Sequence, residues 1–226
     1  MLASDLPVTR IAVSEAEAAG LRRVIQDTEE ILGPIPDVRI ARLSDTAVLT
    51  RFFSSPDVGR WLYTMPNPIN EETIGAFILR HLQEKEEGNG ALFVGFDESG
   101  EAAMYFDVEL WPQWGACKYG GAVKAQRQGR GYGGVASLFS VDWCFTHLGV
   151  ARICETTAVD NERSIRVLSR MGFRNMGEVD AMRPDGTIRK SYAWELERSA
   201  WRSPVLKQRR SAGAIAPDVA QRPEPT

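Results

Sequence analysis

Apolar side chains at Leu21, Val24, Ile25, Ile31 and Leu32 keep a rough helical spacing and predict a helix over residues 14–32. Ser14 and Glu17 form a capping-box start, and Gly33-Pro34 is the stop signal. A short strand is expected over 38–43, then a helix opened by Ser44-Asp45 whose pairs Val48/Leu49 and Phe52/Phe53 share one face. Asn70 caps a further helix with the stripe Ile74, Phe77, Ile78, His81 and Leu82; within it His81 reads as a packed residue, not a base. After Asn89-Gly90 the period falls to two. Residues 91–96 and 101–111 read as strands about a turn at 97–100. The longer strand sets Met104, Phe106, Val108 and Leu110 against Tyr105, Asp107, Glu109 and Trp111. A turn from Pro112 to Gly115 leads into a strand over 116–123, completing an antiparallel meander.

From Gln126 strands and helices alternate. A glycine-rich loop enters a helix over 132–148 with Val135, Leu138, Val141, Phe145 and Leu148 inward. A strand over 152–159 and a helix over 161–171 follow, the helix burying Ile165, Leu168 and Met171 and ending at Gly172. Strands over 173–179 and 191–196 flank the turn Pro184-Asp185-Gly186. Beyond Trp201 the pattern dissolves into Lys207, Arg209, Arg210 and a Pro/Ala/Gln-rich end, which reads as a solvated tail. The expected division is a helical extension over 1–36, a folded domain over 37–199 and a tail over 200–226.

Composition narrows the chemistry. With 43% apolar and 25% charged residues among 226, the chain fits a folded protein, and its formal net charge of −3 gives no reason to expect a nucleic-acid partner. Cys117, Cys144 and Cys154 lack paired spacing and read as small buried residues of a reducing compartment. Two histidines, His81 and His147, offer little to a zinc site or a serine triad, so no metal is expected. Met-Leu-Ala-Ser-Asp lacks the basic and apolar regions of a signal peptide, so none is expected, and no run approaches the ~20 apolar residues of a membrane span. The expectation is a cytoplasmic protein.

The run Gln126-Arg-Gln-Gly-Arg-Gly-Tyr-Gly-Gly134 lies between a strand and a helix. Glycines let the backbone approach a bulky anion without Cβ clashes. The following helix adds unpaired N–H groups and the positive end of its dipole, so phosphate is the natural guest. Gly129, Gly131 and Gly134 also satisfy the spacing of a dinucleotide fingerprint, with Glu155 about 20 residues on. That reading needs an apolar strand running straight into the first glycine. Here Lys124-Ala-Gln-Arg-Gln128 intervenes, and the preceding strand belongs to a meander.

Gln128-Gly-Arg-Gly131-Tyr-Gly133 resembles the pyrophosphate-loop signature of the GNAT superfamily of acyl-CoA N-acyltransferases. Asn161-Glu-Arg-Ser164, followed by Leu168 through Gly172-Phe173, resembles its second element, closest to the branch of ribosomal-protein N-acetyltransferases. The resemblance implies an α+β fold: a mixed, mostly antiparallel sheet with splayed central strands and helices on both faces. It implies acetyl-CoA as co-substrate, held by the backbone at Gly121, Ala122 and Val123 and by Gln128, Gly129, Arg130, Gly131, Tyr132, Gly133 and Gly134. Asn161 would reach the pantetheine amide, though it is equally a sound helix N-cap.

The implied reaction is direct attack of a primary amine on the thioester. A lysine-like amine has a pKa near ~10, so a base is needed near the cleft. Glu155 is the leading candidate, with Asp107 and Glu109 beside it; Ser164 or Tyr192 would serve the departing sulfur. Thr156 stands where the family often carries its base, and alternation puts it on the face opposite Glu155. Lys118 stands where the branch often carries an acid. The expected partners are an acyl-CoA and an amine acceptor, protein or small molecule, with a homodimer possible and no membrane. A non-catalytic acyl-CoA sensor is the rival from another class.

Overall fold

The computed structural model describes residues 6–31, 38–59, 62, 65–124, 132–182 and 186–202. Helix α1, Glu15–Asp27, starts where Ser14 accepts the Glu17 N–H and buries Leu21 and Ile25 one turn apart. It stops earlier than the pattern suggests. Thr28 turns extended and Ile31, expected on the helix, instead lies buried in the two-residue strand β1, Glu30–Ile31. Strand β2, Val38–Ile40, is also shorter than expected, because Leu43 enters the 3-10 turn Leu43–Asp45 that leads into helix α2, Thr46–Ser54.

Helix α3, Pro56–Gly59, is a single turn. Helix α4, Glu71–Glu87, opens on a reciprocal cap: Asn70 Oδ1 accepts the Thr73 N–H at 2.9 Å and the Thr73 hydroxyl accepts the Asn70 N–H at 3.1 Å. The meander consists of β3, Gly90–Phe96, β4, Ala102–Trp111, and β5, Ala116–Val123. Then come α5, Tyr132–Trp143, and a π-helical turn, Cys144–Leu148. Strand β6, Arg152–Ala158, helix α6, Glu162–Met171, and strands β7, Arg174–Met182, and β8, Ile188–Glu197, complete the described chain.

One eight-stranded sheet has the order β1-β2-β3-β4-β5-β6-β8-β7, antiparallel everywhere except between β5 and β6. This is the expected α+β architecture. One face packs Met104, Phe106, Val108, Leu110 and Cys117 against α1, α5 and α6. The other packs Leu92, Val94 and Tyr105 against α2 and α4 through Leu49, Phe52, Phe53, Ile74, Phe77 and Ile78. Because helices cover both faces, the face of β4 expected to be polar begins with Tyr105 at 1% exposure. Val135, expected inward on α5, is 48% exposed, while Val141, Phe145 and Leu148 are buried as the pattern requires.

The second face is covered differently beyond β5. There Leu6 joins Ala116, Cys154 and Ala193, with Trp111 and Trp114 packed beside them. Thr9 is tied down twice: its N–H donates to Glu195 Oε1 at 2.8 Å and its carbonyl accepts Arg152 Nη1 at 3.0 Å. The sequence signalled nothing for this segment.

Candidate active site

Strands β5 and β6 run side by side but pair only through Ala116↔Arg152 and Cys117↔Ile153. Beyond those positions they part, while β5 remains paired with β4 along its whole length. The Lys124 N–H donates to Ala103 on the β4 side, so by alternation the N–H groups of Tyr119 and Gly121 point into the opening. Gly121 is exposed there, Ala122 is half-buried and Val123 is buried. The result is a stretch of sheet edge, enclosed within a sheet, to which an extended amide-bearing chain can add as a strand does.

Glu155 spans the opening. Its Oε1 accepts the Tyr119 N–H at 3.0 Å, supplying the acceptor that β6 would have offered had the strands stayed paired. The residue is 8% exposed. Burial pushes its carboxyl up to about 8; the Tyr119 N–H and Lys118 pull the other way, and the charges of Asp107 and Glu109 add to the rise. Desolvation therefore wins over the hydrogen bond. A carboxyl that takes up a proton near neutrality is suited to general-base work on an amine.

On β8, Trp194 lies opposite Glu155 and Tyr192 opposite Thr157, so Tyr192 sits one step further along the same face, packed against the core. Thr156 falls on the other face, as alternation requires. Ser164 lies half-buried in the first turn of α6, where its N–H donates to Asn161 Oδ1 at 3.1 Å. Asn161 is thus seen acting as the helix N-cap, with its carbonyl oxygen in use. Gln128, Gly129, Arg130 and Gly131 lie outside the described residues, whereas Tyr132, Gly133 and Gly134 form the first turn of α5. The dinucleotide reading does not survive, since β5 is the third strand of an antiparallel meander.

The remaining candidates separate clearly. His81 is 5% exposed and its Nδ1 donates to the Phe77 carbonyl at 2.8 Å, the packed role expected of it. All three cysteines are buried and free. Burial, with help from Glu195 and Glu155, pushes up the Cys154 thiol, and burial beside Cys144 does the same to Cys117. Neutral buried thiols are poor nucleophiles. Asp107 and Glu109 lie on the sheet face opposite α5, Asp107 half-buried and Glu109 exposed. What sequence reasoning missed is the Tyr119 N–H as the partner of Glu155, and Gly120 lying opposite Asp107. A glycine pair inside a strand, Gly120-Gly121, was the available signal for a close approach.

Among the described residues, no cluster of His, Cys, Asp or Glu could hold a metal ion, and no helix is long and apolar enough to cross a membrane. Residues 38–174 match the family model described as an acetyltransferase (GNAT) domain. Comparison with curated proteins finds no match. Among solved structures, the ribosomal-protein-S5-alanine acetyltransferase from Vibrio fischeri is similar at 18% identity and TM-score 0.60, covering 73% of this chain and 94% of its own. RimJ of Mycobacterium smegmatis, in complex with CoA-disulfide, is similar at 20% identity and TM-score 0.62, covering 78% and 88%. A spermidine N-acetyltransferase mutant from Vibrio cholerae is similar at 15% identity and TM-score 0.56, covering 72% and 95%.

Proposed function

This chain belongs to the GNAT family of acyl-CoA-dependent acetyltransferases, and from that premise we propose that it moves the acetyl group of acetyl-CoA onto a primary amine without an acyl-enzyme. The observation that carries the reading is the parted β5 and β6 with the Glu155 carboxyl spanning them. The edge from Tyr119 to Val123 would bind the pantetheine arm through backbone groups. The first turn of α5, with the loop before it, would hold the pyrophosphate at a helix N-terminus.

In the transfer step the amine nitrogen bonds to the thioester carbon and the carbon–sulfur bond breaks. The proton lost by nitrogen passes to Glu155, directly or through one water, and the departing sulfur takes a proton from Ser164 or Tyr192. A carboxyl raised to about 8 narrows the gap to an amine near ~10, which makes this proton transfer easier than it is for an ordinary glutamate. Similar structures named for a ribosomal-protein alanine and for spermidine support an amine acceptor of either size.

The test is thiol release from acetyl-CoA over a panel of amines, with mass spectrometry of products formed from labelled acetyl-CoA. Release that depends on an amine supports transfer. Tight acetyl-CoA binding with no release on any amine would make the protein a sensor.

A further inference from the structure

On the α4 face of the opening, a carboxylate oxygen has no partner among the described residues. Asp107 lies in β4 directly opposite Gly120 of β5. Its Oδ1 is buried and makes no hydrogen bond, against the general rule that buried polar atoms are paired. The space it occupies exists because residue 120 has no side chain: a Cβ there would collide with Oδ1. Gly120 stands three residues past Cys117, the last β5 residue paired with β6. The carboxylate therefore hangs over the strand that borders the opening, on the face away from α5.

Its surroundings are acidic. Glu109 is the next β4 residue on that face and is exposed. Glu84 of α4 is near enough that, after its own burial, the charges of Glu109 and Asp107 help raise its carboxyl, while His81 and Arg80 oppose them. Lys118, opposite Glu109, is the cation that β5 contributes to this face.

Resting on the acetyl-transfer reading, we propose that Asp107 anchors a second, non-reacting ammonium of the acceptor, so that the substrate class is a small diamine or polyamine. The proton of the reacting nitrogen already has its acceptor in Glu155, whose side chain lies on the other face of the sheet. The negative charge on this face therefore complements a different cationic centre. An ammonium arriving at the half-buried Asp107 carboxylate would be held in a charge-assisted hydrogen bond. The chain length between the two nitrogens would then set which amine reaches Glu155.

Thiol release from acetyl-CoA, measured with cadaverine, n-pentylamine and an alanine-leading peptide, tests this on the full chain. The expected result is a kcat/KM for cadaverine about tenfold or more above that of n-pentylamine, expressed through KM. Asp107→Asn should lower the cadaverine value about tenfold more than the pentylamine value. Glu109→Gln, at an exposed position, should show a smaller differential of the same sign, and it reports even if Asp107→Asn does not fold. Equal losses for both amines, or a preference for the peptide, would overturn the proposal. Cadaverine binding to the CoA-loaded protein separates the two levels. Asp107-dependent binding with no thiol release upholds the subsite and defeats the transfer reading. Release without any preference for cadaverine defeats the subsite alone.

Discussion

Glu155 is subject to two opposing effects, and their balance makes it testable. Burial favours the neutral acid, the Tyr119 N–H favours the carboxylate, and burial prevails. For Glu155→Gln, kcat/KM should fall about 10²–10³-fold. In the wild type the rate should climb as pH passes through about 8, because the ionised form accepts the proton, and the variant should lack that limb. Stability carries the reverse sign. A folded-state carboxyl raised above its unfolded value binds more protons when folded, so stability is fully present at low pH and drains away as pH rises from about 4.5 to about 8. Glu155→Gln should remove that slope, so thermal melts at pH 5 and pH 8 should draw closer together in the variant. A variant that keeps full activity would reduce Glu155 to a strut for the Tyr119 amide. The acid itself was legible from its place before Asn161. Its partner was not, because the Tyr119 amide is freed by the divergence of two strands whose register no local pattern encodes.

At the level of elements, caps and stripes were readable where the chain signals to itself. Asn70, Asn161 and Gly172 each mark a helix end through contacts within a few residues, and all three act where expected. Gly172 takes a φ of 88° at the end of α6, a conformation that favours glycine. Asn161→Ala should cost about 1 kcal/mol of stability, read as a lowered melting temperature without any cofactor present. An unchanged melt with a raised KM for acetyl-CoA would instead assign Asn161 wholly to the pantetheine. Misreadings arose where distant parts decide. Ile31 keeps a helical spacing, yet pairing with Val38 draws it into a strand. Tyr105 alternates as though solvent lay beyond it, but Phe52 and Phe53 of α2 stack edge-on against its ring at 6.2 and 5.0 Å.

Across the whole molecule, the segment around Thr9 is fastened to the far half of the sheet by buried charge. Arg152, 3% exposed, reaches Glu197 at 2.7 Å and Glu195 at 3.7 Å, and holds the Thr9 carbonyl as well. Arg152→Ala should destabilise by about 3–5 kcal/mol, since Glu195, also 3% exposed, would stay buried without its counter-charge. The double variant Arg152→Met with Glu195→Leu should recover most of that loss, because apolar replacements leave no stranded ion. Denaturant titration of the three proteins decides the point.

Two residue pairs form the backbone seam between the five-strand part of this sheet and the three-strand part. A guest lying along that fissure would act as a missing rung, so occupancy and rigidity should rise together. At a hundredfold excess over its dissociation constant, coenzyme A should raise the unfolding free energy by about 2.7 kcal/mol. Hydrogen exchange should slow first at the Gly121 amide. The protein would then be firmest while loaded and loosest at the moment of exchange, so product departure would be governed by how easily its own sheet comes apart.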